Sequence, residues 1–375
     1  MDTNKRNLDN MTLIYINGRF LGRKITGVDR FALELLRAWD ELYEKKDPAT
    51  ADIAFEVLGP KEIVTPHGLR HIAVRQVGKF RGQTWEQIDL PLAAGDGPLV
   101  SLCNTAPALI SNQIVAIHDA ATVAIPNAFS PIFRLWYRLL LPILGWRARA
   151  VLTVSNFSVA ELKRHFGIPP SKVTVISEGG EHILREPSDI RALDKFDLRK
   201  RPYVFAVSSM AGHKNFKLVL EALALLPDAP FDVAIAGGAN PSVFGNAGVL
   251  QSTRVKWLGY VSDSELRSLY EGAMCFVFPS LYEGFGIPPL EAMHCGCPVL
   301  ASTAASIPEV CGEAALYFDP SSAEQLAARL RQVSTDADLR ASLTKAGFIQ
   351  TRKFSWEKGA RQLLEICRRF GSVKK

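Results

Sequence analysis

Residues 280–302, SLYEGFGIPPLEAMHCGCPVLAS, decide how this 375-residue chain is read. An apolar run at 274–279 (MCFVFP) leads into a loop carrying Glu283-Gly284-Phe285-Gly286. The pair Pro288-Pro289 then marks a helix start, because proline suits the first helical turn and its missing N–H costs nothing there. Strand, glycine loop and helix N-terminus together offer backbone N–H groups and a partial positive charge to a phosphate. Glu283 stands before the glycines, and Glu291 falls on this reading in the first helical turn. A carboxylate beside an anion site needs a different partner, and hydroxyl groups are the natural one. The stretch therefore points to a ligand with both phosphates and sugars. Its plainer alternative is a tight turn that needs glycine, with Glu291 favouring the helix dipole.

Working outward, short apolar runs alternate with helical patterns along the whole chain. Strands are expected at 12–16, 53–58, 72–77, 99–103, 114–117, 151–154 and 173–176. Phe31, Leu35, Trp39 and Leu42 recur at helical spacing between the first two. A polar segment follows at 181–201, with the linker placed at 183–201. The alternation restarts with strands at 203–207, 233–236, 255–258, 275–278, 299–301 and 315–318, and with helices near 216–226, 264–271, 323–333 and 338–346. The expected fold class is α/β: two Rossmann-like, doubly wound parallel-sheet domains, 1–182 and 202–353, facing an interdomain cleft, with a last helix in 354–375.

Composition narrows the function classes. Apolar residues make up 47% and charged residues 22%, which suits a globular enzyme and excludes wholesale disorder. The net charge of +6 favours acidic ligands or an anionic surface, but Lys and Arg are dispersed and no nucleic-acid motif stands out. The six cysteines lack CxxC spacing, as expected for reduced thiols in a cytoplasmic protein. The polar N-terminus has no signal-peptide core, and no apolar run approaches the ~20 residues of a membrane span. Asp336 and Asp338 have the spacing of a metal–diphosphate pair, but the first serves better as a helix cap. No divalent metal is expected.

Three further stretches carry candidate chemistry. In SSMAGHKN (208–215), Lys214 would strengthen a site for a diphosphate, with Asn215 beside it; a surface lysine is the alternative. After the first strand come Asn17-Gly18-Arg19 and then Thr26-Gly27-Val28-Asp29-Arg30. There Gly27 would let the backbone approach a ligand, and Asp29 and Arg30 are read as exposed polar residues. His118, in Ile117-His118-Asp119, lies at a strand's carboxyl end, where catalytic residues collect in such sheets, although a lone histidine is more often structural.

Together these motifs resemble the retaining glycosyltransferases of the GT-B fold, family 4 (glycosyl transferases group 1), over nearly the whole chain. EGFGIPPLE matches that family's paired-glutamate signature; SSMAGHKN, TGVDRFALELL, IHDA, VLTVSNFSVAEL and FSWEKGARQLL fit its pattern too. The resemblance implies that Glu283 contacts the donor sugar and that Gly284, Phe285 and Gly286 offer backbone donors. It places Glu291 on the ribose, Lys214 on the diphosphate, and His118 beside the transferred sugar. Asn215 and Gly27 complete the expected donor-binding set, and the last helix is expected to cross back to the N-terminal domain. Two positions depart from the family pattern. Ser208 stands where many members have an arginine, and Glu178-Gly179-Gly180-Glu181 stands where many read Asn-Gly-Val-Asp.

The implied reaction moves a hexose from a nucleotide sugar to a glycan or lipid-linked acceptor, with retention, in polysaccharide or lipopolysaccharide assembly. GDP-mannose is the first donor expected, with rhamnosyl or glucosyl transfer behind it. The nucleotide sugar is a substrate, so no cofactor is expected. Rival readings are a phosphorylase or hydrolase, a dinucleotide-dependent oxidoreductase, and a silent ligand-binding protein. No immediate GxGxxG follows the first strand, which counts against the oxidoreductase. Residues 131–150 (PIFRLWYRLLLPILGWRARA) mix arginines with aromatics, a pattern that suits peripheral contact with the inner membrane's cytoplasmic face; a packed domain helix is the alternative.

Overall fold

The computed structural model describes residues 11–23, 25–207, 211–237 and 253–371. Among these, 7 strands form one sheet and 6 form another, and every strand pairing in both is parallel. The first sheet comprises β1 (Thr12–Asn17), β2 (Ile53–Gly59), β3 (Ala73–Gln76), β4 (Leu99–Ser101), β5 (Gln113–Ala116), β6 (Ala150–Thr153) and β7 (Val173–Val175). Its spatial order is β3-β2-β1-β4-β5-β6-β7, so the winding direction reverses between β1 and β4. The second comprises β8 (Tyr203–Val207), β9 (Asp232–Ala236), β10 (Val255–Gly259), β11 (Cys275–Phe278), β12 (Val299–Ser302) and β13 (Ala315–Phe318). It runs β10-β9-β8-β11-β12-β13 and reverses between β8 and β11. Each expected strand is present. For six of them the reason is burial: β4, β5, β6, β9, β11 and β12 are buried along their whole length, and strands covered on both faces read as largely apolar runs.

The helices used below are α1 (Gly27–Glu44), α2 (Pro131–Arg147), α3 (Phe216–Ala224), α4 (Asp263–Gly272), α5 (Ile287–His294), α6 (Ala323–Thr335), α7 (Ala337–Thr351) and α8 (Trp356–Gly371). The chain divides into two compact units, Met1–Glu178 with Trp356–Lys375, and Gly179–Ser355. The charged stretch expected as a linker folds onto the second unit. Lys195 Nζ pairs with Glu265 at 2.7 Å, and Arg267 donates to the carbonyls of Leu184 and Glu186 at 3.1 and 2.9 Å. Asp336 caps α7 by accepting from Leu339 N at 2.8 Å.

α8 belongs to the first unit, where it packs on α1. Trp39 Nε1 donates to the Ala360 carbonyl at 3.0 Å, and Gln362 Oε1 accepts from Ser177 N at 2.9 Å. Arg361–Asp47 and Arg368–Asp52 ion pairs hold its outer face. In the second unit, α3 and α6 cover β8, β9 and β11 through Phe216, Val219, Leu223, Leu326 and Leu330.

Candidate active site

Open parallel sheets bind ligands outside the carboxyl ends of their strands, where the winding reverses. In the second sheet that place lies between β8 and β11, and the loops leaving those two strands are the ones marked by sequence. Lys214 follows β8 and Glu283 follows β11, and the structure joins them: Lys214 Nζ donates to Glu283 Oε1 at 2.8 Å and to Oε2 at 3.0 Å. Neither is on open surface, their side chains being 17% and 13% exposed.

The two loops are tied by their backbones and by side chains that sequence did not single out. Leu281 N donates to the His213 carbonyl at 2.8 Å. Ser306 Oγ reaches the carbonyls of Glu283 and Phe285, both at 2.9 Å, and Ser302 Oγ donates to the Ser280 carbonyl at 2.6 Å. Asn215 takes the left-handed conformation (φ 57°), and its amide donates to the carbonyls of Pro279 and Pro320 at 3.2 and 2.8 Å. Its nitrogen thus clamps the β8 loop to the β11 loop. Gly286 sits at φ 100°, and a Cβ there would lie 3.2 Å from the Phe278 ring, so conformation demands glycine and packing disfavours anything larger. Phe285 is buried and meets Phe354 edge-on at 5.6 Å. Ser208, Ser209 and Met210 lie outside the described residues.

The helix start differs from expectation. α5 begins at Ile287, so Pro288 and Pro289 are its second and third residues and contribute no N–H. Of the donors a helix N-terminus normally offers, those two are missing, which shifts anion-binding capacity towards the loop amides before the helix. Glu291 consequently lies in the second turn. It does not act as a first-turn dipole partner; it is buried, with His182 Nε2 2.9 Å from Oε1 and Tyr270 donating to Oε2 at 2.9 Å. Burial, followed by the Lys214 charge, pushes His213 below its usual range. Two polar atoms of these loops, His213 Nδ1 and Ser280 Oγ, are buried without a hydrogen-bond partner among the described residues. They leave capacity for a polar ligand.

In the first unit, His118 is 5% exposed. Its Nε2 lies 2.9 Å from the Leu102 carbonyl, its Nδ1 3.8 Å from Glu178 Oε1, and its ring meets Phe31 edge-on at 4.7 Å. Burial pushes its pKa down to about 4, so the ring is neutral at neutral pH. Gly27 is the first residue of α1; its φ is not positive and a Cβ there would meet nothing within 4 Å, so neither conformation nor packing requires glycine.

Asp29 is not the exposed residue that sequence suggested. It is buried, accepting from Thr26 N at 3.0 Å and Thr26 Oγ1 at 2.6 Å, and it pairs with Arg23. Arg30 is half-buried, with Glu34 at 3.7 Å. Sequence also passed over Glu86, on the turn Trp85–Asp89, whose Oε1 accepts from Asn17 Nδ2 (2.7 Å), Arg19 Nε (3.1 Å) and Thr105 Oγ1 (3.1 Å). These groups cluster after β1 and β4, the reversal point of the first sheet. The spacing T-x-x-D at Thr26 was a readable signal for Asp29; Glu86 had none.

Two parallel Rossmann-like sheets of this kind define the GT-B class. Solved structures agree on the fold: sucrose-phosphate synthase from Thermosynechococcus elongatus (TM-score 0.72, 19% identity, covering 97% of this chain and 100% of that one) and WaaG, a glycosyltransferase involved in lipopolysaccharide biosynthesis (TM-score 0.69, 16% identity, 94% and 99%). Anabaena HepE, solved with UDP-glucose, matches with TM-score 0.70 at 18% identity over 96% and 100%. Family models for Glycosyltransferase Family 4 and Glycosyl transferases group 1 match residues 85–180 and 191–350. O-antigen chain mannosyltransferase B of Escherichia coli is 34% identical over 290 residues, 74% of each chain. O-antigen chain mannosyltransferase RfbU of Salmonella typhimurium is 25% identical over 319 residues, 81% of this chain and 86% of that one. The chain belongs to the family 4, group 1 glycosyltransferases. It is a glycosyltransferase, and the oxidoreductase reading is thereby set aside.

Proposed function

We propose that this enzyme transfers a mannosyl group from GDP-mannose to a glycan or lipid-linked acceptor in cell-surface polysaccharide synthesis, with retention of configuration. The observation that carries the reading is the Lys214–Glu283 pair at the reversal point of the second sheet. A cation for a departing diphosphate and a carboxylate for sugar hydroxyls sit within one hydrogen bond of each other. Mannose is favoured because the relatives named above are mannosyltransferases of O-antigen chains.

In this reading Lys214 leaves Glu283 for the diphosphate when donor binds, and Glu283 turns to the sugar hydroxyls. The acceptor oxygen forms the new bond to the anomeric carbon on the face from which the nucleoside diphosphate leaves. The acceptor's proton passes to the leaving phosphate oxygen, so no strong base is needed. Lys214 and the amides of Gly284, Phe285 and Gly286 meet the charge that develops on the diphosphate. A thermal-shift screen tests the donor: GDP is expected to raise the melting temperature more than UDP, dTDP or ADP. A larger rise with UDP, the nucleotide held in the HepE structures, would replace the mannosyl reading with another hexose.

A lipid-linked acceptor is supported by α2. No helix among the described residues is long and apolar enough to cross a membrane. Yet α2 is apolar on two faces: Leu140, Leu141 and Leu144 are buried, while Ile132 (83% exposed), Leu135, Leu139, Ile143 and Trp146 (77%) form a stripe facing solvent. Arg134 and Arg138 flank the stripe and are exposed. An apolar stripe edged by cations complements an anionic lipid surface. The protein is therefore expected to float with anionic liposomes at low salt, and Leu135→Glu/Leu139→Glu to remain in the pellet. No flotation at low salt removes the membrane proposal, and a concentration-dependent dimer lost in the same variant would assign the stripe to a second copy.

A further inference from the structure

Glu291 is held by two elements that family resemblance did not assign. His182 comes from the turn Glu181–Leu184, Tyr270 from α4, and each is buried. Their contacts fall on different oxygens of one carboxylate, His182 on Oε1 and Tyr270 on Oε2, both at 2.9 Å. Tyr270 is itself fixed edge-on against Phe205 and Phe276, with ring centroids 5.2 Å away in each case. Burial, with Glu291 after it, holds the Tyr270 phenol well above its usual range, so it remains a donor.

The turn bearing His182 is seated closely on α5. A Cβ at Gly180 would stand 2.7 Å from Leu290 Cβ and 2.9 Å from Glu291 N, contacts that side chains do not make. Glycine at 180 is what lets the segment Glu178-Gly179-Gly180-Glu181 lie against the helix, and His182 is the next residue along. Close seating of the segment and the imidazole on the Glu291 carboxylate thus occur together in this chain.

We infer that His182 is a positioning residue for the donor's ribose, locking the Glu291 carboxylate jointly with Tyr270 so that nucleotide binding need not order it. This rests on the reading that Glu291 takes the ribose hydroxyls. A rotamer-rich side chain frozen before binding is worth about three- to tenfold in affinity. The contact bears on the ribose and not on the base or diphosphate, so the gain should depend on the ribose hydroxyls.

The test is calorimetric titration of the intact protein with GDP and with the deoxynucleotide lacking both hydroxyls, 2′,3′-dideoxy-GDP, using UDP and its dideoxy form if UDP stabilises more. Wild type is expected to prefer the ribonucleotide. His182→Ala should weaken ribonucleotide binding about three- to tenfold and leave the deoxynucleotide unchanged. His182→Gln, which returns an N–H near the Nε2 position, should restore most of the preference. Tyr270→Phe removes only a hydroxyl and should repeat the selective loss even if His182→Ala folds poorly. In transfer assays the loss should appear in donor KM rather than kcat. Equal weakening of both nucleotides, or an unchanged ribose preference in Tyr270→Phe and His182→Ala, would overturn the inference while leaving the nucleotide site standing. Wild-type protein that binds neither nucleotide would overturn the reading of the site itself.

Discussion

Replacing Glu283 with glutamine is expected to reduce sugar transfer by at least about a hundredfold while the second unit stays folded, the loss typical of one misplaced polar group at a transition state. The amide keeps the size of the carboxylate and one acceptor oxygen for Lys214, so the 2.8 Å contact loses charge but not shape. Lys214→Ala is expected to cost about 10²–10³ in kcat, because the departing diphosphate then lacks its cation. Nucleotide binding separates the two roles. Lys214→Ala should weaken GDP, whereas Glu283→Gln should leave GDP unchanged or tighter, since the carboxylate competes with the diphosphate for the same ammonium group. The double variant should fall short of the product of the single losses, as expected for residues acting as a unit. Full transfer activity in either single variant, measured with purified folded protein, would sink the site assignment.

Gly359→Val is expected to destabilise the first unit by about 3 kcal/mol, the upper end of ordinary overpacking costs. A Cβ at this position would stand 2.2 Å from the Ser177 carbonyl oxygen and 3.3 Å from Leu35 Cδ2. The nearer atom belongs to backbone, so no side-chain rotation relieves the clash and α8 must lift from β7 and α1. Lifting loses the Trp39–Ala360 and Ser177–Gln362 hydrogen bonds and opens the apolar face bearing Leu363, Leu364 and Cys367. Denaturant unfolding followed by tryptophan fluorescence measures the change, because Trp39 and Trp356 both lie at this seam. Wild-type stability in Gly359→Val would mean that the helix is not seated so closely.

These two results bear on different kinds of information. The two sheets were legible along the chain because doubly covered parallel strands need apolar residues at nearly every position, and 274–279 and 299–301 show that pattern without interruption. The glycine loop at 283–286 was legible for a related reason: Gly286 takes a positive φ, a local requirement of the backbone. Helix starts were less so. Two prolines pointed to the beginning of α5, but not to Ile287 as its first residue, and the shift moves Glu291 from the first turn to the second.

Charged residues were where the linear reading fell short. Glu86 looks like a solvent-facing residue until Asn17, Arg19 and Thr105 are placed beside it, because a carboxylate is buried only when partners repay its lost hydration, and here two of them lie more than 60 positions away along the chain. The residues by themselves determined two doubly wound domains and a strand, glycine loop and helix around 283–286, and they marked Lys214, Glu283 and Glu291 as candidates. Only the tertiary structure decided that Lys214 and Glu283 hold each other across 69 positions of chain, and that His182 and Tyr270 hold Glu291. Backbone conformation and apolar burial leave a local mark on sequence, whereas the pairing of charges depends on which strands become neighbours, and that is settled when the sheet assembles.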